Sequence, residues 1–266
     1  MSLPVKAHPN TLASSRILIV GGTSGIGAAV VSGALANGGN VHISSSNPER
    51  IAARIAEFKA LYRGNSCTIT GTAADLSEED TLEKNVKHVL DEAIKALGGP
   101  IDHLIYTAGD GYEGKPLSDL DPKTYLKGWN VRYLGPLIFA KIICANPGTY
   151  LAVDASSSIT LTSGGLAHKP IPGVAHFIGW AGAIEALARG LAVDMAPVRV
   201  NVVSPGAIYT EMLATLGNAA VQRFGEATLT KRVGAASECA EAYLFCMRSA
   251  FFTCEVVKVD GGILYA

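Results

Sequence analysis

A single α/β domain built on a doubly wound, seven-stranded parallel sheet is what this sequence predicts, on three observations. Short β-branched runs alternate with longer amphipathic stretches along the 266 residues, the order produced by strands joined through helical crossovers. Every stretch between two runs is long enough to carry such a crossover, and right-handed crossovers bring the carboxyl ends of the strands to one ligand-binding edge. The first run passes through a glycine-rich turn directly into an apolar-periodic segment, a junction that aims a helix N-terminus at an anion.

In chain order, strands are predicted at 16–20, 40–44, 66–70, 103–106, 158–162, 198–203 and 256–259, each a short run rich in Val, Ile, Leu or Thr. Helices are predicted at 26–36, 48–62, 78–97, 122–144, 174–195 and 237–248, where the pattern is amphipathic. Asn47 and Pro48 supply a cap and a first-turn residue for the second of these. Residues 1–14 read as a loose arm ahead of a domain spanning 15–266. The segment 206–232 has no clean strand signal and reads as a long loop with short helices, a substrate lid over the cleft.

Composition narrows the function classes. Hydrophobic residues make up 48% and charged residues 17%, with 29 glycines, which describes a compact enzyme better than a disordered or fibrous chain. A net charge of −1 provides no broad positive field, so nucleic acid is not an expected partner. The five cysteines are odd in number and none sit at two-residue spacing, so no metal site is expected and they read as buried thiols. The start is polar and interrupted by prolines, unlike a secretion signal. No apolar run reaches the ~18 residues of a membrane span, because the longest candidate, 173–193, carries His176, Glu185 and Arg189. A cytoplasmic setting without membrane contact is the expectation.

The glycine-rich turn reads Gly21-Gly22-Thr23-Ser24-Gly25-Ile26-Gly27. Its glycines permit a tight turn and let backbone N–H groups approach a pyrophosphate. Roughly 20 residues further on, an NAD-selective site places an acid on the ribose 2′-hydroxyl. This chain instead has Ser44-Ser45-Ser46-Asn47 with Arg50 nearby. Without a carboxylate to repel it, a 2′-phosphate can be held by Ser45, Ser46, Asn47 and Arg50, so NADP(H) is the predicted cofactor.

The spacing Gly21-x-x-x-Gly25-x-Gly27 resembles the short-chain dehydrogenase/reductase family, and the resemblance extends over nearly the whole chain. It implies a Rossmann-type fold with further cofactor contacts. Asp75-Leu76 matches the adenine-contacting turn, and Thr107-Ala108-Gly109 matches an Asn-Ala-Gly turn with the asparagine position taken by threonine or tyrosine. Pro205, Gly206, Ile208 and Thr210 match the segment that holds the nicotinamide carboxamide, and Asp260-Gly261-Gly262 matches the C-terminal turn. The family's proton-transfer set is an asparagine, a serine and a Tyr-x-x-x-Lys pair. Asn130 and Ser163 match the first two, whereas Phe177 and Ala181 stand at the tyrosine and lysine positions.

Hydride delivery to a ketone creates an alkoxide, and a positioned acid is typically worth about a hundred- to ten-thousandfold. Phenylalanine and alanine cannot provide it. Three readings therefore stand open: a substrate that is already a cationic iminium, an acid relocated to Tyr133, His168, His176 or Tyr209 with Arg132 as electrostatic partner, or a non-catalytic NADP-binding module. The chain is similar to a fungal branch of the family, acting in bicyclic indole-alkaloid biosynthesis, that also lacks the tyrosine and lysine. Those enzymes reduce an iminium with NADPH and then guide an intramolecular Diels–Alder closure. The resemblance favours such a reductase for a bulky small molecule, with Asn130, Ser163 and Arg132 as the expected catalytic set. It also implies a homo-dimer or homo-tetramer formed through the helices at 122–144 and 174–195, with Trp129, Tyr133 and Trp180 either at the interface or in the core.

Overall fold

The structure is a computed structural model that describes residues 9–109 and 116–266. Its elements run β1 (Arg16–Val20), α1 (Gly25–Ala36), β2 (Asn40–Ser45), α2 (Pro48–Leu61), β3 (Ile69–Ala73), α3 (Glu79–Leu97), β4 (His103–Tyr106), α4 (Pro122–Trp129), α5 (Gly135–Ala145), β5 (Ser158–Thr162), α6 (Ala175–Asp194), β6 (Arg199–Pro205), β7 (Ile208–Tyr209), α7 (Glu211–Ala214), α8 (Asn218–Glu226), β8 (Gly234–Ala235), α9 (Ala236–Arg248) and β9 (Val256–Val259). Seven strands form one parallel sheet in the order β3-β2-β1-β4-β5-β6-β9. The winding direction reverses between β1 and β4. Such a switch point opens a crevice beyond the strand ends.

Alternating strand residues feed two cores, as a sheet covered on both faces requires. Leu18, Val20, Leu104 and Tyr106 pack with α3, α5 and α6, whereas Ile17, Ile19 and Ile105 pack with α1, α2 and α9. Arg199 is a buried cation with no carboxylate partner among the described residues; its guanidinium donates to the carbonyls of Ala155, Ser156, Cys246, Met247 and Phe252 and so ties β6 to α9 and two loops.

Four local expectations differ from the structure. β3 begins three residues later than predicted and runs through Gly71, because a side chain there would press against Ile51 and Ile43, a Cβ coming within 2.6 Å of Ile51 Cγ2. The helix predicted at 122–144 is interrupted between α4 and α5 by a π-helical turn, Asn130–Leu134. The described part of the loose arm is docked: Leu12 is fully buried and Ser14 N–H donates to Gly38 O at 2.8 Å. Of the five cysteines only Cys239 and Cys246 are buried; Cys144 and Cys254 are exposed.

Two histidines are enclosed in the sheet. His42 lies between Thr70 Oγ1 (2.8 Å) and Thr72 Oγ1 (3.0 Å), and His103 Nδ1 meets Ser158 Oγ at 2.9 Å. Burial pushes both down from 6.5 to about 4. Between those values the unfolded chain binds protons that the folded protein refuses, so stability is full above pH 6.5 and is lost as pH falls through the window. Urea titrations at pH 7 and pH 5 should differ by roughly 2 kcal/mol for each histidine. Replacing both with Gln should shrink that difference, and an unchanged difference would assign it to other groups.

Candidate functional site

A cavity of about 540 Å³ opens at the carboxyl ends of β1, β2 and β4, within the range of small-molecule sites. Its floor is the glycine turn. Gly21 has φ +94° and leaves no room for a side chain, since a Cβ would lie 2.6 Å from Ala108 N; at Gly27 a Cβ would collide with the Gly21 carbonyl and lie 2.5 Å from Thr107 Oγ1. Thr107 packs directly against the turn. Its N–H (2.8 Å) and hydroxyl (3.1 Å) both donate to Val20 O, fastening β4 to β1.

Of the predicted cofactor residues, Gly21, Thr23, Ser24, Gly25, Ile26, Gly27, Ser45, Ser46, Arg50, Asp75, Leu76, Ala108, Gly109 and Thr210 line this cavity. Asn47 does not: its carboxamide oxygen accepts from Arg50 N–H at 2.7 Å and caps α2. Pro205, Gly206 and Ile208 lie at the end of β6 and in β7, where Gly206 N–H donates to Val259 O at 2.9 Å. Ser44, Ser77, Lys127, Glu211 and Met212 line the cavity as well, and sequence reasoning did not select them. Ser44 was legible as the strand end of the serine run, but the others depend on how α4 and the 206–232 segment fold back.

Local chemistry fits a dinucleotide. The N-cap of α1, Ser24, makes no side-chain capping bond and the first turn of α1 has no acid of its own, a helix start that favours an anion; of its N–H groups, that of Gly25 donates to Glu211 Oε2 at 3.0 Å. Thr23 Oγ1 donates to Ser45 Oγ at 3.2 Å, and Arg54 Nε donates to Thr23 O at 3.0 Å, which holds the turn from behind. Ser44 Oγ is buried without a hydrogen-bond partner among the described residues, a group expected to find one in a ligand.

Beside this cradle the π-helical turn shapes a second region. Pro136 lacks an N–H and cannot continue the α-helical ladder. Gly135 N–H bonds instead to Asn130 O, five residues back, and the Tyr106 hydroxyl donates to the Val131 carbonyl. Asn130 Nδ2 donates to Ser77 O at 2.8 Å, joining the turn to the loop after β3. The result aims Arg132 inward: its Cζ lies 4.3 Å from the Trp180 ring centroid and 5.3 Å from that of Phe177, and a Cβ on Gly109 would collide with its guanidinium. Phe177 and Trp180 meet edge to face at 4.7 Å. Trp180 is buried in the core, and Trp129 stacks on Tyr133 at 4.6 Å.

Ser163 is occupied elsewhere. Its hydroxyl donates to Glu185 Oε1 at 2.9 Å, and His168 Nε2 meets the same oxygen at 3.0 Å. The next residue, Gly164, faces open space where a Cβ would meet nothing within 4 Å. Tyr209 is 54% exposed. Among the described residues no group of His, Cys, Asp and Glu is placed to hold a metal ion, and no helix is long and apolar enough to cross a membrane.

A glycine-lined cavity at the switch point of a doubly wound sheet is the site of a dinucleotide-binding protein. The chain belongs to the short-chain dehydrogenase/reductase family: a family profile described as an SDR-like Rossmann domain matches residues 8–266. It is 36% identical over 255 residues to the short-chain dehydrogenase/reductase ATR9 of Stachybotrys chlorohalonatus, covering 95% of this chain and 98% of that one. The solved structure of MalC, a reductase/Diels-Alderase from Malbranchea aurantiaca, is similar with a TM-score of 0.90 at 33% identity, over 97% of this chain and 99% of that one. A short-chain dehydrogenase from Burkholderia cenocepacia in complex with NADP is similar with a TM-score of 0.83 at 25% identity, over 95% and 99% of the two chains.

The steric argument at Gly21 is directly testable. Gly21→Ala should lower unfolding stability by about 1–3 kcal/mol and weaken dinucleotide binding more than about tenfold, because the β1 and β4 turns must separate. Gly190→Ala, where a Cβ meets nothing within 4 Å, should leave both unchanged or raise stability slightly. Urea denaturation and fluorescence titration measure the two effects.

Proposed function

We propose that this protein is an NADPH-dependent reductase of an imine or iminium carbon in a bulky small molecule. The observation that carries the reading is the wall beside Gly109, where an arginine guanidinium packs over Phe177 and Trp180 and Phe177 and Ala181 stand at the positions the family pattern gives to tyrosine and lysine. NADPH, when bound, supplies a hydride. The chain's own part follows from its residues. Ser45, Ser46 and Arg50, which line the cavity, hold the 2′-phosphate, and no acid among them repels it. Phe177, only partly buried, offers an apolar face to the substrate, and Trp180 backs it from the core. Arg132, pre-aimed by the π-helical turn, donates N–H groups to a polar atom of the substrate at fixed orientation. No residue of this wall passes a proton to a nascent oxyanion, and an iminium needs none in that step, because hydride transfer cancels its charge.

The same cleft is proposed to guide an intramolecular Diels–Alder closure of the reduced product. The aromatic wall and the similarity to the Malbranchea aurantiaca reductase/Diels-Alderase support this extension. A second reading, ketone reduction with a relocated acid, is favoured by one observation: His168 is paired at 3.0 Å with the buried carboxylate of Glu185, as a proton donor would be.

NADPH oxidation against matched panels of cyclic imines and ketones tests the proposal. Imines should turn over and ketones should not, with NADPH preferred to NADH. Arg132→Ala should lower imine kcat/KM roughly ten- to hundredfold. Phe177→Tyr with Ala181→Lys should gain ketone turnover. Ketone turnover in the wild type that His168→Gln abolishes would replace the proposal with the second reading.

A further inference from the structure

We infer that Glu211 is a built-in competitor for the cofactor's diphosphate: its carboxylate accepts from the glycine-turn N–H that the dinucleotide needs, and it must swing away before the dinucleotide seats. The inference rests on reading the cavity as a dinucleotide site. Gly25 N–H donates to Glu211 Oε2 at 3.0 Å, a contact between residues 186 apart in sequence. It is the carboxylate's sole hydrogen bond among the described residues. Thr210 closes against the same glycine, since a Cβ there would lie 3.2 Å from Thr210 Cγ2. Glu211 therefore supplies the acid that the first turn of α1 lacks, where a negative charge is favoured.

The contact is made by a segment that can leave. Between 211 and 219 only Leu213 is even partly buried, so little apolar surface holds the segment down. Its far end is anchored. Thr228 is 2% exposed and bonds to Gly225 O and Arg232 O, and Leu229 N–H donates to Gly261 O. Opening thus amounts to peeling one turn of helix, α7, from the glycine turn about a fixed base. A diphosphate and a carboxylate cannot share one N–H, and they repel each other in the same cavity. Arg50 and Lys127, which also line it, attract the dinucleotide but lie outside this contact.

Binding measurements on the full-length protein decide the matter. Glu211→Ala and Glu211→Gln should each tighten NADPH binding by about fivefold, as read by fluorescence titration, while adenosine, which carries no phosphate, should bind all three proteins alike. In ¹⁵N-labelled protein without cofactor, the Gly25 amide signal should move in Glu211→Ala. NADPH binding that is unchanged or weaker in both variants, or a Gly25 amide that does not respond, overturns the inference and leaves the reductase reading intact. NADPH bound by none of the three proteins removes both.

Discussion

Two turns meet backbone to backbone at the centre of this protein, and the rest of the cofactor cradle follows from that approach. The chain after β1 turns at Gly21 directly against Ala108, and α1 begins so close beneath that Gly27 faces the Gly21 carbonyl. Side chains at either glycine would push β1 away from β4 or α1 away from both. Because the two strands are neighbours at the point where the winding reverses, the approach also fixes the crevice between them. Thr107 contributes from the other side through its two bonds to Val20 O.

The second constraint is the π-helical turn, which converts a fold element into a site element. In a regular helix from 122 to 145 the backbone would be satisfied internally. Here Pro136 removes one donor, and the bonds realign by one residue. Tyr106, at the end of β4, places its hydroxyl on the Val131 carbonyl, and Gly135 must lack a side chain because a Cβ would strike that hydroxyl. Sheet, turn and glycine therefore lock together, and their joint product is the direction of Arg132. Its guanidinium reaches α6 within cation–π distance of two rings.

How much of this was legible in the sequence depends on the range of the determinants. The seven strands and the glycine turn are local patterns, and they could be read because each is set by residues within one run, whereas the order of the strands in the sheet is fixed by the crossovers between them. The start of β3 was misplaced because Gly71 weakens the strand pattern for a reason that lies in α2, namely Ile51. The break at Asn130 carried a local signal, Gly135-Pro136 inside an apolar-periodic stretch, but its consequence for Arg132 required Tyr106 and α6 to be in place. Ser163 was legible as a strand-end serine. That its hydroxyl is committed to Glu185 depends on a helix more than twenty residues further on. Glu211 and Met212 reach the cavity only because the 206–232 segment folds back over it.

The charge balance of the cleft bears on its chemistry. A guanidinium beside a cationic substrate looks unfavourable, since like charges at about 4 Å repel by roughly 1 kcal/mol in water and by more in a dry cleft. One feature of the site reduces that cost: the faces of Phe177 and Trp180 present the negative side of their quadrupoles to Arg132, which satisfies part of its field. A ketone would still need a proton donor for its developing oxyanion, which neither Phe177 nor Ala181 can supply. For the proposed iminium substrate, hydride transfer itself removes the charge, so the step asks no proton of Phe177 or Ala181, and that asymmetry is the physical reason for favouring it.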